Sequence, residues 1–108
     1  MILRTCLLGI ASLILTLETT LAGELPGDPY VGRKIAESWC GECHNVAPNG
    51  VDAHRGVPAF QTLADNPAFT EMALRAFLQT PHGEMPDVMP TGDETDHIIA
   101  YVLSLKSQ

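Results

Sequence analysis

Cys40-Gly41-Glu42-Cys43-His44 decides how this chain is read. The stretch has the form C-x-x-C-H, the pattern through which a c-type haem is attached to a polypeptide. Two thiols that add across the two vinyl groups of one porphyrin must stand a fixed few residues apart. The residue after the second thiol is then held under the iron, which makes His44 the candidate proximal ligand. Other uses of a cysteine pair fit less well. A redox dithiol is found near a βαβ pattern, and the sequence has none. A zinc site needs a second C-x-x-C or an H-x3-5-H pair, and neither follows.

Upstream, residues 1–22 read as a secretory signal peptide. Arg4 supplies the positive charge, an apolar run extends from Cys6 to Leu17, and Thr20-Leu21-Ala22 is small at the two positions a signal peptidase reads. The run is short of the ~20 residues that span a bilayer, and Glu18 interrupts it. Cleavage after Ala22 is therefore expected, with no stable membrane anchor left behind. Export and the haem motif support each other, because haem is attached to such motifs outside the cytoplasm. Cleavage also removes Cys6, so that the expected mature domain, 23–108, keeps only Cys40 and Cys43, with no disulfide.

The whole chain has six basic and thirteen acidic residues. Loss of Arg4 and Glu18 leaves five and twelve, and the same net charge of −7. That balance argues against nucleic acid. It suits solubility and steering toward a basic partner surface. A domain this small has little core of its own and gains from a staple. A covalent haem is one, since its flat apolar face gives each helix something to pack on.

The mature region reads as all-α, with helices joined by Pro- and Gly-rich loops. Asp28 as N-cap and Pro29 at the first position open a helix that runs through Gly32, Ile35 and Ala36 into the motif. Residues 45–58 read as loop. A short helix is expected after Pro58, and a stronger one over 70–79, with Leu74, Phe77 and Leu78 on one stripe. Its cap is open between Asn66 and Thr70. The last helix has the clearest signal: Thr91-x-x-Glu94 is spaced as a capping box, and Ile98, Tyr101, Val102 and Leu105 follow at i, i+3, i+4, i+7.

Iron then needs a sixth ligand or keeps an open position. Methionine is a soft neutral donor that raises the potential relative to a second histidine. Met72 is expected in the core of the third helix. Met85 and Met89 each precede a proline in the segment 83–90, where a stiffened loop holds a thioether at little entropic cost. Spacing alone does not separate these two, and His82 is a third contender.

With these residues in view, the chain resembles the small class I c-type cytochromes, monohaem proteins of bacterial periplasms and mitochondria. The resemblance covers nearly the whole mature region. Gly32 stands eight residues before Cys40, and Ala36 one turn later, as in that family. These positions imply packing against Ile98 and Tyr101. Pro58, in Val57-Pro58-Ala59-Phe60, matches the proline whose carbonyl accepts from the proximal imidazole. Met85-Pro86 lies sixteen residues before Tyr101 of an Ala-Tyr-x-x-x-Leu ending, as in bacterial members, which favours Met85 over Met89. The start of the last helix departs from the family's Leu-Ser-x-x-Glu. It reads Pro90-Thr91-Gly92-Asp93-Glu94 and leaves a second Met-Pro unit, Met89-Pro90.

The resemblance implies three to four helices around one haem c held by Cys40 and Cys43, with His44 and Met85 as axial ligands. It implies a non-enzymatic periplasmic electron carrier. Its donors would be a periplasmic dehydrogenase or a quinol-oxidising complex, and its acceptors an oxidase or reductase. No residue selects among them. Two alternatives stand beside this reading. One is a five-coordinate haem sensor that binds a small ligand. The other is a dedicated haem subunit of a periplasmic dehydrogenase complex. Among the remaining residues, Trp39 is expected as core against the porphyrin, and His54 and His97 as solvated. Arg55 and Arg75 are weak propionate candidates on charge alone. Asp93, Glu94 and Asp96 are expected to serve the dipole of the last helix.

Overall fold

The computed structural model describes residues 24–53, 56–81, 83, 85 and 88–108. The expected leader, together with His54, Arg55, His82 and Pro86, lies outside the described residues. Among the described residues there are four α-helices and no strand: α1 (Pro29–Trp39), α2 (Phe60–Asp65), α3 (Glu71–Leu78) and α4 (Gly92–Ser104). None is long and apolar enough to cross a membrane.

Each main helix starts where its own residues dictate. The Asp28 side chain accepts from the N–H groups of Tyr30 and Val31 at the head of α1, with Pro29 in the first turn. These bonds satisfy donors that a helix start leaves unpaired. Thr70, not Asn66, caps α3 and accepts from Ala73 N–H at 3.2 Å. Asn66 instead turns the chain before that helix, its Oδ1 accepting from Ala68 N–H. Thr91 and Glu94 form the expected capping box at α4, each side chain accepting from the other residue's backbone N–H.

The organising contact is α1 against α4, and α2 and α3 also lie on α4. α4 is accordingly the most buried helix, with Thr95, Ile98, Ile99 and Tyr101 inside. Ala36 from α1, Phe60 from α2 and Leu74 from α3 complete the same core. At the crossing, a Cβ on Gly32 would come within 1.8 Å of the His97 carbonyl oxygen and 2.9 Å of Tyr101 Cβ. Only a residue without a side chain permits that approach.

Three expectations fail here, for local physical reasons, and Arg75 has partners that the sequence did not announce. Met72 is 80% exposed, because the buried face of α3 is carried by Leu74 and Met72 points elsewhere. Phe77 is exposed too, so the stripe on α3 is narrower than its apolar spacing suggests. His97 is not simply solvated: it is half-buried, and its Nδ1 accepts from Asp28 N–H at 2.8 Å, which ties the start of α1 to α4. Arg75 is engaged by carboxylates, reaching Glu71 one turn back and Asp96 on α4 at 2.6 Å. These pairs hold the Arg75 guanidinium further up its ordinary range, with the Asp96 hydrogen bond contributing most. Asp96 therefore joins α3 to α4 as well as serving the helix dipole.

Candidate functional site

The motif sits on a helical turn that continues α1. Cys40 N–H and Gly41 N–H both donate to Ala36 C=O, and Cys43 N–H and His44 N–H both donate to Cys40 C=O. This local winding places the two cysteines one turn apart, on the same side of the chain. Neither is in a disulfide. Cys40 is partly buried, and burial pushes its thiol up from the ordinary value, whereas Cys43 is exposed.

His44 is oriented by one hydrogen bond. Its Nδ1 lies 2.6 Å from the Pro58 carbonyl oxygen. A carbonyl can only accept, so Nδ1 carries the proton of this bond and Nε2 is the nitrogen left to face a metal. A ligand histidine is fixed in this way, one nitrogen donating to a backbone acceptor and the other left for the metal. The Phe60 ring packs beside the imidazole with centroids 5.6 Å apart, and Tyr101 follows at 6.3 Å from Phe60.

The loop that presents Pro58 is pinned by Asn45 and Asp52, which sequence reasoning did not single out, and by Tyr101, which it expected only as a packing residue. Asn45 Oδ1 accepts from Ala47 N–H, Asn45 Nδ2 donates to Val51 C=O, and Phe60 N–H donates to Asn45 C=O. Asn49 takes a positive φ of 56° in this turn, which asparagine tolerates better than most residues. Tyr101 Oη donates to Val46 C=O, which fastens the segment after the motif to α4, and burial raises the Tyr101 hydroxyl above its ordinary range. On the far side Asp52 Oδ1 accepts from Ala59 N–H at 2.6 Å and from Thr62 Oγ1 at 2.8 Å. The only available signal was the clustering of Asn, Asp and Gly that marks a turn.

Asp52 gives a pH test. The Ala59 N–H, and then the Thr62 hydroxyl, hold its carboxyl below the usual carboxylate value. A group whose folded pKa is depressed stabilises the fold above its unfolded pKa of about 4, and this contribution is lost as pH falls through the folded value. Asp52→Asn keeps an acceptor but removes the titration. Its stability relative to wild type should therefore rise as pH drops below about 4, read by thermal unfolding across a pH series. A constant difference at every pH would mean that Asp52 titrates alike in both states.

Of the two methionines with Met-Pro spacing, Met85 is half-buried in the segment between α3 and α4, and Met89 is 59% exposed. Trp39, expected as core, keeps 45% of its surface exposed in the polypeptide. A cleft of about 350 Å3 opens beside the motif, lined by Cys43, His44, Val46 and Ala53 among others. No group of three or more His, Cys, Asp or Glu among the described residues could hold a bare metal ion. The donor set fits a covalently held porphyrin instead. It offers two unpaired thiols one turn apart and an imidazole with its orientation fixed. Phe60 and Tyr101 supply apolar surface beside that ring.

Comparison with known proteins agrees. Over 94 residues, 87% of this chain and 90% of the relative, the sequence is 34% identical to Cytochrome c-552 of Bradyrhizobium diazoefficiens. No protein-family model matches the chain, and no solved structure matches it.

Proposed function

This chain belongs to the class I c-type cytochromes, haem c proteins of electron transport, and on that premise we propose a periplasmic one-electron carrier with His44 and Met85 as axial ligands. It is a haem-based electron carrier whose partners are redox proteins. His44 as ligand is carried by one observation, its 2.6 Å contact from Nδ1 to Pro58 C=O, which leaves Nε2 as the donor.

When bound, haem c supplies a one-electron couple at iron. The chain's own residues do the rest. Cys40 and Cys43 would hold the group through thioethers. His44 would supply an imidazole nitrogen, its ring kept in one orientation by Pro58. The half-burial of Met85, against the exposure of Met89, supports Met85 as the thioether donor. With His44 and Met85 both committed as donors, the chain would leave small molecules no place to bind and little to rearrange as charge changes. The signal-peptide pattern of residues 1–22 supports export to the periplasm, with cleavage after Ala22. A periplasmic dehydrogenase or a quinol-oxidising complex as donor, and an oxidase or reductase as acceptor, fit this compartment. Encounters with them should be brief and small, under about 1,200 Å2.

Intact mass of the protein secreted by a cell able to mature c-type cytochromes tests the proposal. The expected species is residues 23–108 plus one haem, with no free thiol. A bare polypeptide with both thiols titratable would overturn it.

A further inference from the structure

Pro58 C=O and Ala59 N–H are the two ends of one amide. The carbonyl accepts from His44 Nδ1 at 2.6 Å, and the N–H donates to Asp52 Oδ1, also at 2.6 Å. The amide is trans, which aims these two groups to opposite sides. The imidazole therefore stands on one side of the peptide and the carboxylate on the other. Thr62 Oγ1, in the first turn of α2, donates to the same carboxylate oxygen at 2.8 Å and fixes it in place. Ala59 is fully buried, so Asp52 is the acceptor for an N–H that water does not reach. These two bonds hold the Asp52 carboxyl below its usual range and keep it ionised at neutral pH.

We propose that Asp52 tunes His44 through the Pro58–Ala59 peptide: its carboxylate polarises that amide and makes Pro58 C=O a stronger acceptor of the Nδ1 proton. The inference rests on His44 as an axial ligand and adds a positioning residue that acts on it only through another group. Hydrogen bonds in series strengthen one another by about 10–30% per bond. A charged acceptor makes a bond roughly twice as strong as a neutral one. A histidine whose Nδ1 proton is pulled harder has a more basic Nε2. A more basic donor favours the higher oxidation state of a metal bound to it, so the carboxylate lowers the reduction potential. Asp52 is exposed, but the amide that carries its effect is buried. The direct field of an exposed charge is screened by salt, whereas a path through hydrogen bonds is not.

Asp52→Asn tests this in the holoprotein. The asparagine oxygen still accepts from Ala59 N–H, so the loop is kept while the charge is lost. The potential should rise by the equivalent of roughly a threefold shift in the equilibrium, about 30 mV for one electron. The rise should persist at ~1 M salt, where the Debye length is about 3 Å. In the ferrous protein the His44 Nδ1–H proton resonance should move upfield, the sign of a weaker hydrogen bond. A role in stability alone would lower the melting temperature and move neither readout. An unchanged potential, an unchanged Nδ1–H resonance, or a rise that disappears in salt each overturns the inference. The carbon-bound ring protons of His44 report the axial reading separately. On a ligated imidazole they lie far upfield, shifted by the porphyrin ring current. Ordinary positions in the wild-type holoprotein would mean that His44 is not the ligand, and the inference would fall with that reading.

Discussion

Gly32→Ala should lower the stability of the holoprotein by roughly 3 kcal/mol, at the upper end of what overpacking does. A single added Cβ would sit 1.8 Å from the His97 carbonyl oxygen and 2.5 Å from its carbon. Both are backbone atoms of α4, so no side-chain rotation relieves the clash and the helices must separate. Separation also stretches the 2.8 Å bond from Asp28 N–H to His97, worth about 1 kcal/mol. Alanine recovers about 1 kcal/mol of helix propensity, which offsets that bond but not the overpacking. In a domain of this size each kcal/mol shifts Tm by about 4–8 °C. Melting by circular dichroism should therefore show a fall of at least about 10 °C. An unchanged melting temperature would mean that α1 and α4 are not in close contact at this point. Gly27 reinforces the argument: its φ of 100° and its approach to Asp96 and His97 make the stretch entering α1 a second place where the two elements meet backbone to backbone.

Much of this architecture was legible because it is written in local chemistry. Asp28-Pro29, Thr91 with Glu94, and the Ile98-Tyr101-Val102 spacing each name a helix start or a buried face without reference to anything distant. What escaped was set by distant partners. Nothing near His97 in sequence announces an acceptor for Asp28 N–H, 69 residues away. Nothing about Arg75 on a helix face announces its partner, and Asp96 meets it from another helix. Met72 shows the limit of composition: an apolar residue in an amphipathic helix takes its burial from its angular position, and in an eight-residue helix that position is poorly defined by pattern.

The site divides in the same way. Cys40, Cys43 and His44 were legible as candidates, because the covalent chemistry of the motif dictates their spacing. Pro58 came from family resemblance, and the 2.6 Å contact to His44 Nδ1 bears it out. The supports behind Pro58 were not legible. Asn45, Asp52 and Tyr101 act on backbone groups of a turn, and a turn's hydrogen bonds depend on its three-dimensional path.

Met85→Ala should abolish the weak red absorption band of a methionine–iron(III) bond, and Met89→Ala should leave it intact. Both methionines precede proline, so the stiffness of the loop does not discriminate between them. Exposure does. A thioether that binds iron exchanges hydration for a metal bond within an apolar pocket. Met89, at 59% exposed, would have to withdraw from solvent, whereas Met85 is already half-buried. Met89 also adjoins Pro90, which is buried next to the capping box of α4, so moving its backbone would disturb the start of that helix. Loss of the thioether donor should in addition lower the reduction potential, because methionine favours the reduced state relative to harder ligands. Three measurements on each variant suffice: the red band, the potential, and carbon monoxide binding to the ferrous protein. Met85→Ala should lose the first, lower the second and gain the third, and Met89→Ala should match wild type in all of them. The reverse pattern would move the ligand to Met89. A wild-type protein that already lacks the band and binds carbon monoxide readily would instead mark a ligand-binding haem with an open sixth position, and the electron-carrier mechanism based on two protein ligands would have to be abandoned.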